Sequence, residues 1–371
     1  VSIFGGAPRP MELRGKRILL FSPEPWEGLH MSKHHLSQAL AERGNAVYFV
    51  DPPAAAAKGI ELADAGQVKL VRYRHWLRGV NRLPAAANRA YYKRLIERIA
   101  QRTGGPFDII WCFDTSRMQS FPRGIGLRLL HLADYDILHM GRGLIPTADI
   151  IFTTGQVVAD AVAPRARCPV VNMGHALDAR WLQGAEQLAQ RVPGPVREAL
   201  FMGQLANSYN DWEGFDRVVA AHPELRFTFI GPYDDRLAEP AYQALRERPN
   251  ARFTGLMDKA SLIPMVRGAD LLFFGFRSGR VAKERANPHK VLEYLSTGNV
   301  IAGSYTMEYP PDTDLFVMAP EGGDLLAAFD RALRDHAALN SPEKRQQRIA
   351  FAQERAMPRL IARMESALAS L

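Results

Sequence analysis

A lysine at position 290 and a glutamate three residues later open the stretch NPHKVLEYLSTGNVIAG, residues 287–303. The stretch reads as a helix followed by a buried strand. Asn287 is suited to cap the helix and Pro288 to its first position, where a missing N–H costs nothing. Gly298 stands where a left-handed residue ends a helix, and Val300 and Ile301 begin the strand. A cation in a first turn opposes the helix dipole by roughly a few tenths of a kcal/mol unless an anion is present. The preceding loop carries Arg277, Arg280, Lys283 and Arg285. Together with outward-pointing N–H groups, these residues suit a diphosphate. Glu293 shares the face of Lys290, about 4.5 Å further along the axis, where a carboxylate can accept both hydroxyls of a ribose. The competing reading is a Lys–Glu pair on a solvated helix face. It loses weight because the helix follows the carboxyl edge of a sheet.

The elements that must position these residues repeat one theme. Strands are predicted at 17–21, 46–50, 107–113, 127–132 and 149–154, and again at 198–203, 226–231, 251–255, 269–276 and 299–303. They are continuous apolar runs, the pattern of strands covered on both faces, and the helical segments between them imply right-handed crossovers and parallel sheets. A Pro/Gly/Gln-rich passage near 183–195 separates two such sets. The expected organisation is a first domain over 11–185, a second over 196–345 and a C-terminal helix over 346–371 that crosses back to the first domain. In open parallel sheets ligands sit at the carboxyl ends of the strands. In the second half four strands end at or beside glycine (FMG, FIG, FTG, FFGF), which lets backbone approach a ligand closely.

A chain of 371 residues fits two domains of ordinary size. At 47% hydrophobic and 23% charged, it has the composition of a folded globular protein and not of a disordered one. No apolar run is long enough to span a bilayer. The first residues lack the charged start and apolar core of a signal peptide, and Met11 reads as the natural start. Cys112 and Cys168 lie far apart, which excludes a disulfide framework and makes a reducing, cytoplasmic setting the default. A net charge of +8 points to an anionic partner. Between Arg72 and Arg102 stand nine Lys/Arg residues and a single acid, Glu97, interleaved with Trp76, Tyr91 and Tyr92.

The order LFMGQL, RFTGLM, GADLLFFGF, HKVLEYLSTGNVI resembles the nucleotide-sugar-binding domain of GT-B glycosyltransferases, in the bacterial group 1, family 4-like set. The first half, WEGLHMSKHHLSQALAERGNAVYFVDP, resembles that family's opening strand, acceptor-side loop, helix and second strand. The resemblance implies two Rossmann-like doubly wound domains facing across a cleft. It also implies transfer of a sugar from a nucleoside-diphosphate sugar, UDP-sugar above all, to a glycan or lipid-linked glycan. It places the donor among Gly203, Tyr233, Met257, Arg277, Asn287, Lys290 and Glu293, with Gly28 and His30 on the acceptor-side loop. Two departures stand out. Many relatives carry a second glutamate eight positions before Glu293, where this chain has Arg285, and QLANSYND lacks the Arg and Lys usual after the first glycine-ended strand. The diphosphate clamp is therefore expected from Lys290 and the 277–285 loop.

Asp134, directly after the strand LRLLHL, is the expected catalytic residue, because a carboxylate within reach can deprotonate an acceptor hydroxyl. Asp136 is the alternative. His30 and His34 have i, i+4 spacing, but a zinc site needs three or four ligands, so they read as a helix start. His175 reads as a turn residue, structural or near the donor. Asp234–Asp235 and Asp312–Asp314 lack metal-loop spacing, and no metal and no cofactor beyond the donor are expected. The basic segment 72–102 suits an anionic membrane surface on the inner face of a membrane; a solvated cationic face is the alternative. Nucleic-acid signatures are missing, so no nucleic-acid partner is expected. The rival enzyme is a sugar-nucleotide epimerase of the same fold.

Overall fold

The computed structural model describes residues 12–28, 30–133, 143–192, 194–279 and 287–371. The chain forms two compact units, one of residues 1–176 with 357–371 and one of residues 177–356.

In the first unit the strands are β1 (Arg17–Phe21), β2 (Ala46–Val50), β3 (Ile60–Ala65), β4 (Val68–Tyr73), β5 (Ile109–Cys112), β6 (Leu127–Leu132), β7 (Ile150–Thr153) and β8 (Val170–Asn172). They form one sheet in the order β3-β4-β2-β1-β5-β6-β7-β8, parallel throughout except for the antiparallel β3–β4 pair. Helices α1 (Ser32–Glu42), α2 (Ala85–Thr103) and α3 (Gln156–Val162) belong to the same unit. Alternate residues along a strand feed two separate apolar clusters. Leu19 and Phe21 pack with Tyr91, Tyr92, Leu95 and Ile99 of α2, whereas Ile18 and Leu20 pack with Leu36 and Leu40 of α1. Coverage on both faces is why β1 reads RILLF without alternation. The β3–β4 hairpin is an element that the apolar-run pattern does not predict. Gly66, at φ +65°, opens its two-residue turn, and edge strand β3 is mostly solvent-facing, so it lacks an apolar run.

In the second unit helices α4 (Ala185–Ala189), α5 (Trp212–Ala221), α6 (Pro240–Glu247), α7 (Lys259–Gly268), α8 (His289–Leu295), α9 (Leu325–Arg334), α10 (His336–Leu339) and α11 (Pro342–Gln353) accompany six strands. These are β9 (Glu198–Met202), β10 (Arg226–Ile230), β11 (Ala251–Gly255), β12 (Leu271–Phe274), β13 (Val300–Gly303) and β14 (Val317–Met318). Their order is β11-β10-β9-β12-β13-β14, and every pair is parallel. After β9 the chain builds outward on one side through β10 and β11, then returns to the other side at β12. That reversal is the topological switch point of the sheet.

Candidate donor and acceptor sites

The carboxyl edge of the second sheet is made of bare backbone. Gly203 follows β9 at φ +159°, Gly231 follows β10 at φ +142°, and Gly255 ends β11 at φ +77°. A Cβ on Gly231 would lie 2.8 Å from the carbonyl carbon of Gly203 and closer still to its oxygen, so the two strand ends touch through their main chains. A Cβ on Gly203 would run into the ammonium group of Lys290. The Lys290 Nζ lies 4.0 Å from the centroid of the Phe201 ring and 5.0 Å from that of Phe276, where an aromatic face supports a cation. Two residues 87 positions apart in the chain thus meet at the switch point.

Helix α8 begins one residue later than the capping pattern suggests. Pro288 takes the cap position with an extended backbone, and His289 opens the helix. The helix has only seven residues, so its dipole is modest. Asn287 lies just outside the helix. Gly298 adopts φ +72° as expected of a helix-ending glycine. Glu293 is largely buried and 3.5 Å from His289 Nδ1, a pairing the sequence reading did not consider. Tyr294, fully buried, accepts the Met202 N–H on its hydroxyl at 2.7 Å. Its part in the site was not anticipated, although the unusual placing of a tyrosine in an otherwise aliphatic buried face (Val291, Leu292, Leu295) was the available signal.

The other residues expected on the donor side fall on the same edge in different surroundings. Tyr233, three residues beyond the end of β10, is part-exposed. Its ring sits 4.6 Å from the Arg246 guanidinium and 3.8 Å from where a Gly255 Cβ would be. Met257 packs partly buried against the unit's core. Arg277 pairs with Glu239 and donates from Nε to the Asn210 carbonyl at 3.3 Å, so part of its guanidinium is already engaged. Arg280, Lys283 and Arg285 lie outside the described residues.

In the first unit Gly28 adopts φ +112° with open space around it; backbone conformation, not room, calls for glycine. His30 stacks on His34 with ring centroids 4.9 Å apart and meets Trp26 at 5.0 Å. The loop is anchored where the Trp26 N–H meets Asp51 Oδ1 at 2.9 Å. His34 accepts the Met31 N–H on Nδ1 and so donates from Nε2 to the Pro25 carbonyl at 3.1 Å. That neutral tautomer is favoured by burial, which lowers the His34 pKa. These histidines are thus helix-start residues. Asp134 and Asp136 lie outside the described residues. A buried group missed by sequence reading is the Asp114–Arg117 ion pair after β5, next to Tyr73, Tyr92 and the Ser22 carbonyl. The FDTSR run at that strand end was its signal. Among the described residues no cluster of three or more His, Cys, Asp or Glu could hold a metal ion, and no helix is long and apolar enough to cross a membrane.

No family model and no curated protein sequence matches the chain. Solved structures do. Sucrose-phosphate synthase from Thermosynechococcus elongatus superposes with a TM-score of 0.69 at 13% identity, over 95% of this chain and 98% of the other. HepE from Anabaena, in complex with UDP and glucose, gives 0.67 at 12% identity over 96% and 100%. The UDP-forming trehalose-phosphate synthase of Burkholderia vietnamiensis gives 0.64 at 14% identity over 96% and 100%. The fold is GT-B. Both units take the Rossmann-like doubly wound form that the resemblance implied, and the GT-B likeness extends over nearly the whole chain.

Proposed function

We propose that this GT-B protein is a glycosyltransferase that moves a hexose-type unit from a nucleoside-diphosphate sugar to a glycan or lipid-linked glycan acceptor. The observation that carries the proposal is the meeting of Lys290 with the bare backbone of Gly203 at the switch point of the second sheet. A cation against a glycine edge, with two further glycine-ended strands beside it, suits a diphosphate that must approach backbone closely. Lys290 neutralises the diphosphate, Glu293 holds the ribose and Tyr233 and Met257 flank the base. Arg277 joins the clamp by exchanging Glu239 for phosphate. The UDP bound in HepE and formed by the trehalose-phosphate synthase supports UDP as the nucleotide. Asp134 acts on the acceptor hydroxyl as general base or orienting group, with Gly28 and His30 on the acceptor side.

Thermal shifts across UDP-, GDP-, ADP- and TDP-sugars test the donor. A UDP-sugar should stabilise the protein, and Lys290→Ala and Glu293→Ala should each erase that shift; its survival in both variants removes the donor placement. Product analysis with donor alone separates transfer from epimerisation, which would return an altered sugar nucleotide without acceptor. Metal independence is part of the proposal, and loss of activity on chelation counts against it.

An acceptor carried on lipid fits the basic face of the first unit. The apolar stripe of α2 is already used in the core through Tyr91, Tyr92, Leu95 and Ile99, and Arg72 pairs with Glu27 and Asp51. What remains for a membrane is exposed Trp76 and Leu77 among arginines, with Arg98 over the Trp76 ring at 4.9 Å. This suits peripheral contact with anionic lipid on the cytoplasmic face. Vesicle flotation should require anionic lipid and weaken in Trp76→Ala; flotation indifferent to lipid charge removes the idea.

A further inference from the structure

Strands β9 and β12 are hydrogen-bonded neighbours only at their beginning. Leu271 pairs with Ala199 and Leu272 with Leu200, and the register stops there, while β9 pairs with β10 along all five of its residues. At the carboxyl end the sheet is therefore parted on one side. Amides of a strand point alternately to its two neighbours. The Gly203 N–H bonds Ile230 of β10, so the Met202 N–H faces the parting. It meets no strand partner there; it meets the Tyr294 hydroxyl at 2.7 Å. Tyr294 stands one turn after Lys290 on α8 and therefore shares its face.

We propose that Tyr294 is a positioning residue of the donor site: its hydroxyl replaces the missing rung between β9 and β12 and thereby fixes the depth and rotation of α8 that put Lys290 against Gly203. The inference rests on the donor-site reading above. A buried phenol has one geometry in which its oxygen reaches a strand amide, because its ring is packed and its reach is fixed. An unmet Met202 amide in a buried place is costly, which drives the helix to the one setting that satisfies it. The Lys290 ammonium group then lies over Phe201 beside the bare strand end.

Tyr294→Phe removes one oxygen and keeps the ring. Its test pairs UDP binding by calorimetry with the acylation rate of Lys290, read by mass spectrometry without ligand. Tyr309→Phe, at another buried tyrosine of the same unit, is the control. The expected result is UDP binding weakened about fivefold, the size of one lost hydrogen bond, together with faster acylation of Lys290. Tyr309→Phe should leave both unchanged. A Tyr294→Phe protein that binds UDP normally and acylates Lys290 at the wild-type rate overturns the proposal, whatever its Tm. If wild-type protein fails to bind UDP, or Lys290→Ala binds it normally, the donor reading falls instead; the ligand-free acylation rate then still decides whether Tyr294 positions Lys290.

Discussion

At the scale of single residues, two adjacent glycines with similar backbone angles should behave differently. Gly203 at φ +159° and Gly231 at φ +142° both sit where side chains are strained. A methyl on Gly203 meets the far end of a lysine, which can swing aside; a methyl on Gly231 meets the Gly203 carbonyl, which is held in the sheet edge. Gly203→Ala is therefore expected to lose donor binding with a smaller loss of Tm. Gly231→Ala should lower the Tm far more, to the point of poor recovery of folded protein. Calorimetric unfolding with and without UDP separates the two, and equal behaviour would contradict the backbone contact. The sequence shows both glycines at strand ends, but nothing in it tells which one a lysine touches.

Among elements, α11 supplies the support beneath α8. Arg345 and Arg348 of that helix are buried. Arg348 donates to the Gly298 carbonyl at 2.9 Å and to the Leu339 carbonyl at 2.7 Å, while Arg345 reaches Asn299, Asn340 and the Leu188 carbonyl. Gly298 follows α8, so these arginines satisfy carbonyls where the helix ends and the strand begins. Burial lowers the Arg348 pKa to about 9, with Arg345 nearby adding to the effect, yet the group stays charged at neutral pH. Arg348→Met should cost about 2–5 kcal/mol, because a buried and a part-buried carbonyl lose their donor; urea unfolding measures it, and an unchanged midpoint would refute the role. On the sequence alone the last thirty residues read as one long amphipathic helix with a kink at Pro358. The structure breaks it into α11 and a separate helix, α12 (Met357–Leu368), and turns two arginines inward. Strand β6 makes a related point. His131 stacks on Phe113 with centroids 4.4 Å apart and lies beside Trp111 at 6.3 Å, and burial pushes its pKa down to about 3. The unfolded chain then binds a proton that the folded one refuses. Stability contributed by the neutral ring is complete above the ordinary value of 6.5 and declines as pH falls from there toward about 3. His131→Phe should flatten that acid decline in Tm; an unaltered slope would show that other groups cause it.

For the molecule as a whole, the division into units follows contacts and not chain order. Met357, Leu360, Ile361, Met364 and Leu368 of α12 lie in the same apolar cluster as Ile18, Leu20 and Trp111. Glu365 accepts the Leu13 N–H at 2.8 Å and pairs with Arg43 at 2.6 Å. Each such buried side chain contributes about 1.5–3 kcal/mol, so deletion of 357–371 should leave the first unit unfolded or aggregated. Residues 177–356 expressed alone should fold and still bind UDP. Proteolysis and calorimetry on both fragments check this; a stable first unit without α12 would contradict it.

What the sequence determined by itself was the class of architecture and the glycine-ended strand edge on which the donor site is proposed. Apolar runs covered on both faces place most strands, several with the same bounds (17–21, 46–50, 127–132 and 251–255), and the glycines after them mark the ligand edge, because both signals are local in the chain. Only the tertiary structure decided who meets whom. It set Lys290 against Gly203 and Tyr294 against Met202, engaged Arg277 with Glu239, and spent the apolar face of α2 on the core. Those pairings depend on strand order and register, and periodicity along one segment carries no information about which distant segment lies opposite it.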